Sequence, residues 1–167
     1  MEITRHGVKQ TTNGKAPMIG NHLPEFTVKA GDGTKVTPAD LAGKFTLISV
    51  VPDINTRVCS LSTKKFNVNA GNFTGINFLT ISTNTATEQQ SWCAAEGVQN
   101  MQLLSDTQES FGEALGLYVA ENGTDARSVW IINPEGKIVY RELVLEQTEE
   151  PDYSSALAYL ETHQHAE

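Results

Sequence analysis

The chain has 167 residues, which is the length of a single globular domain. Its composition, with 39% hydrophobic and 19% charged residues, excludes an intrinsically disordered protein. Twenty acidic and twelve basic residues give a net charge of −8, which disfavours nucleic acid and anionic membranes as partners because both carry charge of the same sign.

A short β-hairpin is predicted at the N-terminus, within residues 1–18. Two short alternating segments, Glu2–Val8 and Lys15–Met18, flank the dipeptide Asn13-Gly14. Asn-Gly is a strong local signal for a tight turn between two strands, because both residues tolerate a positive φ. We therefore expect the hairpin turn at Asn13-Gly14.

Strand-like and helix-like segments alternate along the rest of the chain. The predicted strands are apolar and rich in β-branched residues, and they are Phe26–Lys29, Phe45–Val51, Ile76–Ser82, Met101–Leu104, Ser128–Ile132 and Lys137–Leu143. The predicted helices begin near Thr37, Cys59, Thr85, Thr107 and Pro151. This order predicts one α/β domain over residues 1–167, with three layers and a mixed sheet that combines parallel crossovers with an antiparallel edge pair.

The two cysteines are expected to be reduced thiols. The first 20 residues contain no apolar core of a secretory signal, and no apolar run reaches the ~20 residues that cross a bilayer, so we expect a cytoplasmic protein. In that reducing compartment a pair of thiols is more often inert or catalytic than a structural disulfide.

Cys59 is the candidate nucleophile. The buried strand Phe45–Val51 ends in the loop Pro52–Val58, and Cys59 follows where a helix is predicted to begin. The first turn of a helix offers free backbone N–H groups and the positive end of the helix dipole, which favour the nucleophilic thiolate. Thr56 adds a hydroxyl that can donate to a thiolate and accept from a substrate O–H. The alternative is a buried cysteine that packs as a small apolar side chain.

Pro52, Thr56 and Cys59 have the Pro-x-x-x-Thr-x-x-Cys spacing of the peroxiredoxins, and the chain resembles their atypical 2-Cys thiol peroxidase branch. Further matches follow in the family's order, and they are Lys65-Phe66-Asn67, Trp92-Cys93-Ala94-Ala95-Glu96-Gly97, Ala126-Arg127-Ser128-Val129 and Glu150-Pro151-Asp152-Tyr153. The resemblance implies a thioredoxin-like domain with an added N-terminal hairpin.

The resemblance also implies a role for each matching residue. Cys59 would be the peroxidatic cysteine, which attacks a hydroperoxide and becomes a sulfenic acid. Thr56 would hold the peroxide oxygen, Arg127 would stabilise the thiolate and the developing charge, and Pro52 would shield the sulfenic acid from water. Cys93 would be the resolving cysteine, which forms an intramolecular disulfide with Cys59 that thioredoxin reduces. The family's members are commonly homodimers that act in antioxidant defence, and no cofactor or metal is implied.

Some features depart from the family or leave alternatives open. The family usually has Ser and Asp where this chain has Asp53 and Asn55, and Phe where it has Trp92. Arg57 is a second candidate for the charge partner of the nucleophile, and Cys93 could instead be a core thiol.

Two other functions remain possible. A redox-sensing or binding module would oxidise without turnover, and a disulfide oxidoreductase normally has a Cys-x-x-Cys motif that this chain lacks.

Because Cys59 and Cys93 are predicted on separate helices, we expect local unwinding before they can join.

Overall fold

The structure is a computed structural model that describes residues 1–98 and 100–163. Within this part of the chain the strands are β1 (Glu2–Arg5), β2 (Val8–Thr11), β3 (Val28–Lys29), β4 (Lys35–Val36), β5 (Phe45–Val50), β6 (Ile76–Ser82), β7 (Gln102–Ser105), β8 (Tyr118–Val119), β9 (Thr124–Asp125), β10 (Ser128–Ile132) and β11 (Ile138–Leu143). The helices are α1 (Arg57–Ala70), α2 (Ala86–Glu96), α3 (Ser110–Ala114) and α4 (Tyr153–His163), and Pro38–Leu41 forms a 3-10 turn. Among the described residues, no helix combines the length and apolar character needed to cross a membrane.

The central sheet has seven strands in the order β11-β10-β5-β6-β7-β3-β4. Strands β5, β6 and β7 are parallel, and β10, β11, β3 and β4 join this centre by antiparallel pairing. The crossovers β5–α1–β6 and β6–α2–β7 step in the same direction, so the right-handed rule places both helices on one face. This mixed sheet between helical layers confirms the predicted fold class.

The central strands are buried on both faces, and their side chains therefore alternate between two hydrophobic clusters. One cluster joins the sheet to α1, α2 and α4, and we call it the site-side cluster. Its members on these helices are Cys59, Phe66, Ala70, Trp92, Ala156 and Leu160. The other cluster packs the sheet against α3 and the N-terminal segments. Both cysteine-bearing helices thus share one face and one core.

Local sequence signals fix several element bounds. Strands β6 and β10 lie at the residues predicted for them. Helix α2 begins at a capping box, in which the Thr85 hydroxyl accepts from the Glu88 N–H at 3.1 Å and the Glu88 carboxylate accepts from the Thr85 N–H at 3.1 Å. It ends at Gly97, whose φ of +69° is readily adopted only without a side chain. Helix α1 begins before its predicted start, with Thr56 as N-cap, so Cys59 is its third residue.

The N-terminal hairpin exists, but its turn was predicted at the wrong dipeptide. Strands β1 and β2 are joined by His6-Gly7, with φ of +51° and +77°, and not by Asn13-Gly14. The Asn13 side chain instead donates to the Glu113 carbonyl and accepts from the Tyr118 N–H, both at 3.0 Å. Asn13 therefore fastens the segment after the hairpin to the body of the domain.

Other differences are smaller. The helix predicted at Thr37 is a 3-10 turn, and α3 begins at Ser110 and not at Thr107. The short pair β8–β9 was not predicted, because two-residue strands carry no periodic signal.

Candidate active site

Cys59 lies beyond the C-terminal end of β5, in the first turn of α1, and its side chain is fully buried, with 0% exposed. Its carbonyl oxygen accepts hydrogen bonds from the hydroxyls of Ser62 at 3.0 Å and Thr63 at 2.9 Å. Ser and Thr hydroxyls bonded to a carbonyl three or four residues earlier often bend a helix slightly, here in the turns that follow the cysteine. The sulfur lies at the positive end of the helix dipole.

Arg127 provides the cation at this sulfur. It directly precedes β10, the antiparallel neighbour of β5, and Ser128 pairs with Val50 at the end of β5. This register brings the Arg127 side chain to the start of α1, where Nη2 lies 3.2 Å from Cys59 Sγ. Only 3% of Arg127 is exposed, so the guanidinium and the sulfur interact away from water. Its Nη1 is buried and makes no hydrogen bond to any described residue.

Gln147 holds Arg127 in place, and sequence reasoning missed it. The Gln147 carbonyl accepts from Arg127 Nε at 3.1 Å and from Nη2 at 2.9 Å, and its side-chain Oε1 accepts from the Arg127 N–H at 2.6 Å. Gln147 Nε2 in turn donates to the Val144 carbonyl at 2.7 Å. No spacing or motif signals this role, because the contact joins residues that are 20 positions apart.

The N-terminal hairpin is tied to the same segment. The Gln147 N–H donates to the Thr4 carbonyl at 2.8 Å. The adjacent Glu146 carboxylate accepts from the Thr148 hydroxyl and from the Gly7 N–H at 2.8 Å. These hydrogen bonds, that from the Thr148 hydroxyl first, lower the pKa of Glu146 to about 2. Glu146 therefore stays ionised and continues to hold the hairpin turn at neutral pH.

Thr56 makes a different contact from the one expected of an N-cap residue. Its hydroxyl donates to the Asp53 carbonyl at 2.8 Å and accepts no bond from the first turn of α1. The hydroxyl proton is thus already used, and the oxygen lone pairs remain as acceptors. This refines the sequence-based expectation, because Thr56 is free to accept from a substrate O–H but not to donate to the thiolate at the same time.

The loop between β5 and α1 is held by a side chain from the next loop. The Asp53 carboxylate accepts from the Asn55 N–H and from Asn84 Nδ2, both at 3.0 Å. Asn84 Oδ1 in turn accepts from the Ile54 N–H at 2.8 Å. Asp53, one of the residues that depart from the family, thus fixes the loop, and Asn84 is a second residue that sequence reasoning missed.

A cavity of about 210 Å³ is lined by Arg127, the residue whose guanidinium contacts the sulfur of Cys59. It is lined by Arg5, His6, Pro52, Thr56, Arg57, Val58, Arg127, Gln147 and Thr148. Pro52 is buried in its wall. Arg57 lines the cavity but is exposed, and the guanidinium that hydrogen-bonds the sulfur is that of Arg127.

Cys93 is not joined to Cys59, and both cysteines are free thiols. Cys93 is half-buried on α2, packs against the site-side cluster and lines a separate cavity of about 470 Å³. Burial raises the pKa of its thiol. The structure thus brings Pro52, Thr56, Cys59 and Arg127 together in one site and leaves Cys93 outside it, on the same face of the sheet.

A buried thiol at a strand-to-helix junction, contacted by an arginine that directly precedes the neighbouring strand, is typical of a thioredoxin-like domain of the peroxiredoxin class. The chain belongs to the AhpC/TSA family, whose model matches residues 19–141.

Curated relatives and solved structures agree with this assignment. The chain is 40% identical to a thiol peroxidase of Bacillus subtilis over 157 residues, covering 93% of this chain and 94% of the relative. It is 45% identical to a thiol peroxidase of Listeria innocua over 148 residues, covering 88% and 90%. A crystal structure of a peroxiredoxin-like protein from Aquifex aeolicus has a TM-score of 0.91 at 29% identity and covers 96% of both chains. The resemblance drawn from the sequence motifs is confirmed.

Proposed function

We propose that this protein is a thiol peroxidase that reduces hydrogen peroxide and organic hydroperoxides at Cys59. The observation that carries the proposal is the 3.2 Å contact between Arg127 Nη2 and Cys59 Sγ, in the first turn of a helix and at the wall of a cavity. A cation and a helix N-terminus together favour the thiolate, which is the form that attacks a peroxide. The name shared by the curated relatives supports the same reaction class.

In the first step the Cys59 thiolate attacks the terminal oxygen of the hydroperoxide. An S–O bond forms, the O–O bond breaks, and Cys59 becomes a sulfenic acid while an alkoxide or hydroxide leaves and takes a proton from water. Thr56 accepts a hydrogen bond from the peroxide O–H, since its own proton is engaged by the Asp53 carbonyl. Arg127 stabilises the negative charge on the leaving oxygen with its unpartnered Nη1.

In the second step the Cys93 thiol condenses with the sulfenic acid. The S–O bond breaks, a disulfide forms between Cys59 and Cys93, and one water leaves. Cys59 is fully buried and Cys93 lies on another helix, so we expect local unwinding of α1, of α2 or of both before the sulfurs meet. Until then Pro52 shields the sulfenic acid. Two thiols of thioredoxin then reduce the disulfide by exchange and restore both cysteines.

The biological setting follows from the same assignment. The protein would act in the cytoplasm as an antioxidant enzyme without cofactor or metal, with thioredoxin as its reductant. It would form a homodimer, as is common among the peroxiredoxins.

A thiol and mass balance after one equivalent of peroxide tests this function. The oxidised chain should lose two free thiols and about 2 Da, and it should remain monomeric on non-reducing denaturing gels, because the disulfide is intramolecular. With thioredoxin, thioredoxin reductase and NADPH, the protein should consume peroxide continuously. A single oxidation without turnover would indicate a redox sensor, and disulfide-linked dimers would overturn the intramolecular step.

A further inference from the structure

We infer that the cavity beside Cys59 selects organic hydroperoxides that carry a carboxylate. This inference rests on the proposed peroxidase function and names the substrate class of the same site.

The lining of the cavity is strongly cationic. Arg5 and His6 come from the N-terminal hairpin, Arg57 comes from the first turn of α1, and Arg127 precedes β10. None of the lining residues is acidic. In a chain with a net charge of −8, three guanidinium groups around one small cavity make a local field opposite to that of the whole molecule.

These guanidinium groups have no anionic partner in the described part of the chain. The Lys64–Glu96 pair is the one ion pair found there, so no carboxylate lies within ion-pair distance of Arg5, Arg57 or Arg127. Arg5 Nε is buried without a hydrogen-bond partner. A buried donor without a partner is costly, and a bound anion removes that cost.

Asp53, Glu146 and Glu149 directly adjoin lining residues in sequence, and the carboxylates of Asp53 and Glu146 are engaged by hydrogen bonds. Glu146 accepts from Thr4, Gly7 and Thr148, which place it against the hairpin turn. Asp53 accepts from Asn55 and Asn84. None of the three lines the cavity or forms an ion pair with its guanidinium groups, so the lining itself remains cationic.

The volume of the cavity, and the change from a buried arginine at one end to exposed cations at the other, fit an organic substrate whose charge lies away from its hydroperoxide group. Its volume of about 210 Å³ greatly exceeds the roughly 30 Å³ that one water occupies in the liquid, so it holds more than hydrogen peroxide. Arg127 is buried at the end next to the sulfur, whereas His6 and Arg57 are exposed. A hydroperoxide group at Cys59 therefore places the rest of the substrate beside Arg5 and Arg57, and the planar guanidinium is suited to a carboxylate.

A matched pair of substrates tests the inference. The second-order rate constant for oxidation of the reduced protein would be measured by stopped flow with γ-hydroperoxy-γ-methylvalerate and with its methyl ester. The two compounds have the same hydroperoxide and differ in charge. We expect the carboxylate to react about threefold to tenfold faster, the ratio that one or two partly solvated charge pairs supply. In the double variant Arg5→Gln/Arg57→Gln this ratio should fall toward one.

Two further variants keep the test decisive. Lys137→Gln removes the same charge from the loop after β10, at the opposite end of the sheet from Cys59, and should keep the wild-type ratio. Arg57→Glu reverses an exposed charge without touching the core, and it should bring the ratio below one even if the double variant fails to fold.

The outcomes separate this inference from the function on which it rests. A wild-type ratio of one or less, or a ratio that Arg57→Glu does not change, overturns the charge preference. If neither compound nor hydrogen peroxide oxidises Cys59, the peroxidase function itself is wrong. If all three react and the ratio is one, the function stands and the substrate class does not.

Discussion

The two cysteines share one face of the sheet and one hydrophobic cluster, yet their surroundings are electrostatically opposite. Cys59 is in the first turn of α1, at the positive end of the helix dipole, with Arg127 in contact. Cys93 is in the last turn of α2, where its own carbonyl accepts from the Gly97 N–H at 2.9 Å. The negative end of the dipole and partial burial both disfavour its thiolate, and burial raises its pKa.

The comparison shows that burial alone does not decide which thiol is the nucleophile. Cys59 is the more deeply buried of the two, and desolvation disfavours any thiolate. Only Cys59 has a compensating cation and a helix N-terminus. A half-buried cysteine without either fits the role proposed for Cys93, that of the second thiol.

The largest expected effect is the difference between the two serine variants. Cys59→Ser should lose reaction with peroxide altogether, because it removes the nucleophile. Cys93→Ser should react once, trap a sulfenic acid at Cys59, and proceed to sulfinic acid in excess peroxide. Mass spectrometry of the oxidised variants measures both outcomes. Full thioredoxin-dependent turnover by Cys93→Ser would show that an outside thiol resolves Cys59.

Arg127→Gln should slow peroxide reaction by roughly 10²- to 10³-fold, as removal of a charged donor at a transition state commonly does. Stopped-flow oxidation of Cys59 measures the rate. Arg141→Gln is the matched control, since Arg141 donates to the Pro17 carbonyl at 2.8 Å and lies outside the cavity. If the rate constant of Arg127→Gln stays within a few-fold of wild type, the contact between Arg127 and Cys59 has a structural role and no part in the reaction.

Thr56→Val should cost about 10²-fold in the same rate constant, because it keeps the side-chain shape and removes the acceptor for the peroxide O–H. Thr56→Ser keeps the hydroxyl and should retain much of the activity. Equal rates for wild type and the valine variant would mean that the hydroxyl has no part in the reaction.

Gln147→Leu should slow peroxide reaction about tenfold, which is less than the change at Arg127, because the Gln147 backbone carbonyl still holds the guanidinium. Gln147→Glu keeps an acceptor for the Arg127 N–H and should recover part of the lost rate. Thermal unfolding of both variants serves as the control. If both variants are slowed equally, and in proportion to the stability they lose, Gln147 contributes to packing and does not position Arg127.

The smallest effect concerns the pH dependence of labelling at Cys93. Because burial raises its pKa, the thiolate fraction at a given pH is lower than in the unfolded chain. In the Cys59→Ser variant, iodoacetamide should therefore modify native Cys93 a few-fold more slowly than the denatured chain near pH 8, and the difference should shrink as the pH rises. Equal rates for native and denatured protein would contradict the raised pKa of Cys93.

Local sequence signals determined much of the fold. The β-branched runs fixed β6 and β10, and the capping box at Thr85 with Gly97 fixed α2, because these signals act between residues a few positions apart. The strand that ends at Val51 and the loop Pro52–Val58 placed Cys59 at a helix start in the same way. Arg127 came from the family resemblance, since nothing local links it to Cys59.

The tertiary structure alone decided the position of the hairpin turn and the support of the site. Both His6-Gly7 and Asn13-Gly14 can adopt positive φ. The turn forms at His6-Gly7, where Thr4 and Gly7 donate hydrogen bonds to Glu146, which lies some 140 positions away in the sequence. Gln147 and Asn84 act through contacts of the same long-range kind. Such pairings depend on which loops the sheet order brings to one edge, and no local propensity encodes that arrangement.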